Sequence, residues 1–225
     1  MIVVLSVGGS SINGKGEPDL KFLKAFAKIM KKSKHRIGIL TGGGSIARLY
    51  ANAARKLGAT EYEADSIAIT STKQNAQLVI AALHAEGVDV HKSVLHGFEE
   101  AKSAPNKVVV MGGTIPGITT DTDAVLLAEA MGGKRLVNVS NVEGIYDGDP
   151  RKNPKAKKYD KMTYEQLINL AMLSDKRKAG THFVFDLLAC KLIARSKIET
   201  HFVGNDIKEV ENAIEGKKHK GTIVK

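Results

Sequence analysis

Three short apolar runs in this chain each end in a glycine-rich turn, and that repetition restricts the fold more than any other feature. Ile2–Val7 runs into Gly8-Gly9-Ser10, Ile37-Gly38-Ile39-Leu40 into Gly42-Gly43-Gly44, and Val108–Met111 into Gly112-Gly113-Thr114. A segment with helical spacing of apolar residues follows each turn, as Leu20, Leu23, Phe26, Ala27 and Met30 do after the first. A strand, a glycine loop and a helix N-terminus in that order leave backbone N–H groups free to point at an anion. One such loop is also an ordinary turn. Three, expected on one edge of a sheet, describe a phosphate-handling site.

The rest of the chain continues the alternation. Helices are predicted over 18–32, with Pro18 in the first turn, over 46–57, ending at Gly58, and over 65–86, ending at Gly87. Short strands are predicted near 89–95 and 107–111, then a helix over 121–131 and a strand at Leu136-Val137-Asn138-Val139. A turn-rich block, 141–150, leads into a lysine-rich exposed loop, 151–161. Helices near 163–173 and 182–196, a strand over 199–203, a helix over 206–214 and a strand at Thr222–Val224 complete the pattern. Alternating strands and helices give an α/β fold with a mainly parallel sheet covered on both faces. Ligands then sit at the carboxyl ends of the strands.

Composition narrows the function. The chain of 225 residues suits one α/β domain or two small ones. No apolar stretch reaches the ~18 residues needed to cross a membrane, and the apolar start lacks a basic leader, so no signal peptide is expected. The single cysteine, Cys190, lies among Leu187, Leu188, Leu192 and Ile193 and is expected as a core thiol in a reducing cytoplasm. The net charge of +10 invites a nucleic-acid partner, but aromatics make up 5% and Trp is missing, so a base-stacking platform is poorly supplied and none is expected. There is no Gly-x-x-x-x-Gly-Lys-Ser/Thr, no Gly-x-Gly-x-x-Gly after a strand, no Gly-x-Ser-x-Gly and no metal-ligand spacing among the 7 histidines. Phosphoryl transfer remains, because its transition state asks for alignment and charge neutralisation rather than covalent work by the protein.

Specific blocks then resemble a known family. Gly8-Gly9-Ser10, the Gly42-Gly43-Gly44 turn followed by Arg48, and Asn141-Val142-Glu143-Gly144-Ile145-Tyr146 with Asp149-Pro150 resemble the amino acid kinase superfamily. Gly112-Gly113-Thr114-x-Pro-Gly-x-Thr119-Thr120-Asp121 resembles its uridylate kinases, and the compact first segment their archaeal type. The resemblance covers essentially the whole chain. It implies a three-layer αβα sandwich in one domain, 1–225, with residues to about 132 mainly binding the acceptor and the remainder ATP. It also implies phosphoryl transfer from ATP to UMP with Mg²⁺ held mainly through the nucleotide phosphates, a homohexamer, a cytoplasmic location and a place in pyrimidine nucleotide synthesis.

Residue roles follow from the same motifs. The resemblance puts Gly9, Ser10 and Gly44 at the ATP phosphates and Gly43 at UMP. Arg48 would face the transferring phosphate; a solvated helix arginine is the plain alternative. Asp65 would hold the uridine ribose, or simply sit at a helix N-terminus. Thr114, Ile115, Pro116, Gly117, Ile118, Thr119 and Thr120 would line the UMP site. Asp121 would arrange phosphate and metal, cap a helix, or do both. Ser140, Asn141, Tyr146 and Asp149 would contact the donor nucleotide, with core packing the alternative for Tyr146. Many members carry a lysine two residues before the first glycine pair, where this chain has Ser6; another lysine, from the 151–161 loop or Lys178, is a candidate replacement. Still open at this level are another small acceptor such as isopentenyl phosphate, a non-catalytic nucleotide- or oxyanion-binding protein on the same fold, and a nucleic-acid-binding regulator.

Overall fold

Successive strand residues point to opposite faces of a sheet, so a strand covered on both faces reads as an unbroken apolar run. The computed structural model, which describes residues 1–14, 16–175 and 185–225, is built on that rule. In chain order the elements are β1 (Ile2–Val7), α1 (Gly9–Ile12), α2 (Leu20–Lys32), β2 (Arg36–Thr41), α3 (Gly44–Lys56), α4 (Glu61–Ala85), α5 (Phe98–Ser103), β3 (Val108–Met111), α6 (Thr120–Met131) and β4 (Arg135–Ser140). Then come β5 (Lys161–Met162), α7 (Tyr164–Asp175), α8 (Leu187–Ser196), β6 (Glu199–Gly204), α9 (Ile207–Glu215) and β7 (Thr222–Val224). The strands form one sheet in the order β3-β2-β1-β4-β6-β7-β5. Its pairs are parallel apart from β6 with β7.

The two faces carry two cores. Val3, Leu5 and Val7 of β1 pack with Phe22, Phe26 and Met30 of α2, Val79 and Leu83 of α4, and Ile214 of α9. Val4 of the same strand joins Leu127 and Met131 of α6, Leu167 of α7 and Ile193 of α8 on the other side. The result is the expected αβα sandwich. At Gly38 of β2 the sheet packs closely on α6: a Cβ there would lie 2.8 Å from the Met131 sulfur and 3.2 Å from Leu127 Cδ2, so any side chain would push those two aside.

Several boundaries differ from the sequence reading. α4 begins at Glu61 rather than at 65, because Thr60 forms a capping box with Glu63: the Thr60 hydroxyl accepts from the Glu63 N–H at 3.3 Å, and the Thr60 N–H donates to the Glu63 carboxylate at 2.8 Å. The segment 89–95 is not a strand; Val90 and Leu95 make isolated bridges alongside β3. The turn after β1 is a short helix, α1. The lysine-rich loop ends in the short strand β5. The predicted helix over 182–196 starts at Leu187, capped by Asp186, and His182 and Lys178 lie outside the described residues. Leu20, Leu49, Tyr50 and Leu57, counted in the apolar helix patterns, are exposed, and Leu57 is 88% so.

Candidate active site

The register of the sheet brings the glycine turns to one edge. Val7 pairs with Thr41 and with Val139, and Leu40 with Met111, so β1 to β4 end side by side. At that edge lies an open cavity of about 600 Å³. Its floor is two glycine turns in backbone contact: a Cβ on Gly9 would stand 2.1 Å from the Gly44 nitrogen and 2.6 Å from the Gly42 oxygen. Gly44 also takes a left-handed φ of 67°, which favours glycine. No side chain can enter between these turns, and their N–H groups stay close to whatever occupies the cavity.

Helix α4 ties the loops together with a polar stripe. The Thr72 hydroxyl accepts from the Gly113 N–H at 2.7 Å, while the Thr41 hydroxyl donates to the Thr72 carbonyl at 2.8 Å. Asn75 donates from Nδ2 to the Gly42 carbonyl at 2.7 Å and accepts from Asn13 Nδ2 at 3.3 Å. Asp65 accepts from the Gly117 N–H at 3.0 Å. Asp65 therefore lies within α4, past its first turn, and latches the 112–119 loop; it is not the helix N-terminal carboxylate that its place in the sequence suggested.

The 112–119 loop is braced from below as well. Thr114 donates its N–H and hydroxyl to Asp123 at 3.0 and 2.6 Å. Burial holds the Asp123 carboxyl above its usual range, against the lowering effect of those bonds. Thr119 is the N-cap of α6, its hydroxyl accepting from the N–H groups of Asp121 and Thr122 while donating to Asp186. Thr119 thus takes the capping role considered for Asp121. The Asp121 carboxylate accepts instead from Ser6 Oγ and Asn138 Nδ2, both at 2.9 Å. Burial pushes its pKa up to about 7, assisted by the nearby negative Asp186 and opposed by the Ser6 and Asn138 bonds.

The cavity is bordered by Gly9, Ser10, Gly43, Gly44, Arg48 and Asp65 on the β1–α4 side. Ile118, Thr119, Thr120 and Asp121 border it from the loop before α6, and Ser140 and Asn141 from the end of β4. Thr114, Ile115, Pro116 and Gly117 do not border it: Thr114 turns to Asp123, and Ile115 is exposed at the outer turn of the loop. Tyr146 is half-buried, bridged to Lys158 and outside the lining, so it is not a core residue. Asp149 is also outside the lining, with its carboxylate on Arg151.

Other residues at the site escape motif reading. Asn138 and Ser6 interrupt apolar strands, which is a usable signal, but their joint bond to Asp121 depends on three elements meeting. Thr72, Asn75 and Asp186 act on loops far away in sequence. Among the described residues the cations bordering the cavity are Arg48 and Arg151, and no lysine does so.

Comparison with known proteins then has a geometry to explain. The profile of the Amino acid kinase family matches residues 1–204. The chain belongs to the amino acid kinase family. A chain from Thermococcus kodakarensis named uridylate kinase is 43% identical, over 100% of this chain and 99% of that one. Another of that name, from Archaeoglobus fulgidus, is 38% identical over the full length of both. The crystal structure of uridylate kinase from Archaeoglobus fulgidus superimposes with a TM-score of 0.86 over 100% of both chains. That of UMP kinase from Bacillus anthracis gives 0.82 over 99% and 95% at 21% identity, a likeness of fold. The glycine turns thus sit at one sheet edge of an amino acid kinase fold.

Proposed function

We propose that the chain is a uridylate kinase, transferring the γ-phosphoryl group of ATP to UMP to give ADP and UDP. The observation that carries this reading is the meeting of loops in one cavity: the Gly9 and Gly44 turns on one side, Ile118 to Asp121 on the other, and Arg48 at the rim. The names of the full-length relatives support UMP as the acceptor. ATP then lies against Gly9, Ser10, Gly44 and the 140–149 block, mainly in residues 133–225. UMP lies against Gly43, Asp65 and the Ile118–Thr120 end of the 114–120 loop, mainly in residues 1–132.

In the reaction, the bond from the γ-phosphorus to the β–γ bridging oxygen breaks, and a bond to a UMP phosphate oxygen forms. That oxygen is already anionic, so no general base is needed. Backbone N–H groups of the glycine turns and the positive end of the α6 dipole, at Thr120 and Asp121, supply fixed positive charge. Arg48, planar and always charged, bridges phosphate oxygens. Magnesium, the hard cation expected with ATP, fits the donors present: the Asp121 carboxylate and the buried Asn138 Oδ1, which has no partner, are oxygen ligands beside the cavity. Among the described residues no group of three His, Cys, Asp or Glu could hold a metal; the family resemblance implies an ion carried largely by nucleotide phosphates. When bound, it would neutralise phosphate charge.

The exposed Leu49, Tyr50 and Leu57 on and just after α3 support assembly with other copies, and the family resemblance makes that assembly a homohexamer. Among the described residues no helix is long and apolar enough to cross a membrane; a cytoplasmic role in pyrimidine nucleotide synthesis completes the reading. The test is ADP formation with UMP, CMP, AMP, isopentenyl phosphate, acetylglutamate and carbamate as acceptors. UMP should give the highest kcat/KM, and equal or better use of another acceptor would overturn the assignment.

A further inference from the structure

We infer that Arg151 is a donor-side phosphate ligand of this site, facing the phosphates of ATP across the cavity from Arg48. The inference rests on the kinase reading above. It begins from a missing charge. Ser6, at the end of β1 and bordering the cavity, carries no charge, and it is 3% exposed and committed to Asp121. A polyphosphate in this cavity still needs cations, and the described residues that border it offer Arg48 and Arg151.

Arg151 is also aimed. Asp149 opens a tight turn, its carbonyl accepting from the Lys152 and Asn153 N–H groups at 3.0 and 2.8 Å. Its carboxylate accepts from the Arg151 N–H and Nε at 3.0 Å each, and from Nη2 at 3.2 Å. This forked grip fixes the plane of the guanidinium and leaves Nη1 with its donors for a ligand. An ion pair this exposed contributes little to stability, so folding does not account for so complete a grip. Asp149, whose carboxylate is taken up by Arg151, acts as a positioning residue. Arg151 follows the 140–149 block in the chain, and Ser140, Asn141 and Val142 of that block border the same cavity, so on the kinase reading Arg151 belongs to the ATP side.

The test compares Arg151→Ala, Arg151→Lys and Asp149→Asn with the unaltered chain, measuring dissociation constants for ATP and AMP by isothermal titration. A phosphate ligand penalises the longer phosphate chain more. For Arg151→Ala the loss of ATP affinity should exceed the loss of AMP affinity by at least fivefold, with Arg151→Lys and Asp149→Asn falling between it and the unaltered chain. An Arg151→Ala loss that differs between the two nucleotides by less than fivefold, or no loss, would overturn the assignment. Thermal unfolding should stay unchanged, since the side chain is on an exposed turn. Turnover with UMP is measured alongside: if the unaltered chain does not phosphorylate UMP, the kinase reading fails, while the ATP-to-AMP comparison still judges Arg151.

Discussion

Arg48 and Asp65 illustrate two ways for a residue to serve the same cavity. Arg48 is exposed on α3, one turn beyond Gly44, with its charge directed at whatever the cavity holds. Arg48→Ala should lower kcat at least tenfold, equivalent to about 1.4 kcal/mol of transition-state stabilisation, with an unaltered unfolding temperature. Steady-state turnover within twofold of normal would remove it from the reaction. Asp65 has one carboxylate oxygen on the Gly117 N–H and borders the cavity itself. Asp65→Ala should therefore raise the KM for UMP several-fold and leave that for ATP nearly unchanged; equal changes in both constants would contradict an acceptor-side role. Both residues were legible as motif members. Ser6 and Asn138 were legible only as polar residues in apolar strands, because what they do depends on partners from other elements, and Arg151 only as the start of a lysine-rich loop. Asp121 shows the same limit: its place before a helix suggests a cap, yet Thr119 caps α6 and Asp121 turns inward to Ser6 and Asn138.

At the scale of elements, α4 holds the site together. Its buried face is apolar toward the sheet at Val79 and Leu83 but polar at Thr72 and Asn75, where it reaches the loops. Asn75→Leu should remove the side-chain donor to the Gly42 carbonyl and leave Asn13 only its 3.4 Å bond to the Gly43 carbonyl, at a cost of about 1–3 kcal/mol, and should raise the KM for both substrates because the Gly42–Gly44 turn lies between them. Urea unfolding and steady-state kinetics on the one variant check both halves; loss of stability with unchanged KM values would reduce the stripe to a structural role. Most element types were legible, since strands buried on both faces and helices with an apolar stripe have distinct patterns. Boundaries were less so. Apolar spacing begins α4 near residue 65, whereas the Thr60–Glu63 box in the same sequence begins it at Glu61. Residues 89–95 carry strand-like residues, but the chain there meets β3 only at single bridges. The exposed Leu49 and Leu57 on the α3 pattern show that helical periodicity does not tell a buried face from an exposed one.

For the molecule as a whole, the sheet has a second polar cluster, outside the cavity lining, where β4, β6 and the approach to β7 meet. Arg135 donates to Glu199 at 3.1 and 3.2 Å, Glu199 pairs with His201 Nε2 at 2.9 Å, and His201 Nδ1 lies 2.7 Å from His219 Nε2. Two facing ring nitrogens share one proton comfortably, so a second charge there is opposed. Burial pushes the His219 pKa down to about 4, and the charges of His201, Lys158 and Arg135 add to the effect, with Glu209 opposing it. Burial lowers His201 too, although Glu199 pulls it back. A histidine near 6.5 when unfolded and about 4 when folded binds protons only in the unfolded chain between those values. Its contribution to stability is complete above pH 6.5 and is lost as pH falls toward 4. At pH 5 the loss from His219 is on the order of 2 kcal/mol, or about 4–8 °C in unfolding temperature for a chain of this size. Thermal unfolding scanned from pH 7 to pH 5 should fall steeply for the unaltered chain and less steeply for His219→Gln, which has no proton to gain. Parallel curves would show that the antiparallel join of β6 and β7 does not depend on a neutral His219. Because the cluster lies away from Arg48 and the glycine turns, kcat per folded molecule should be the same in the two proteins at each pH.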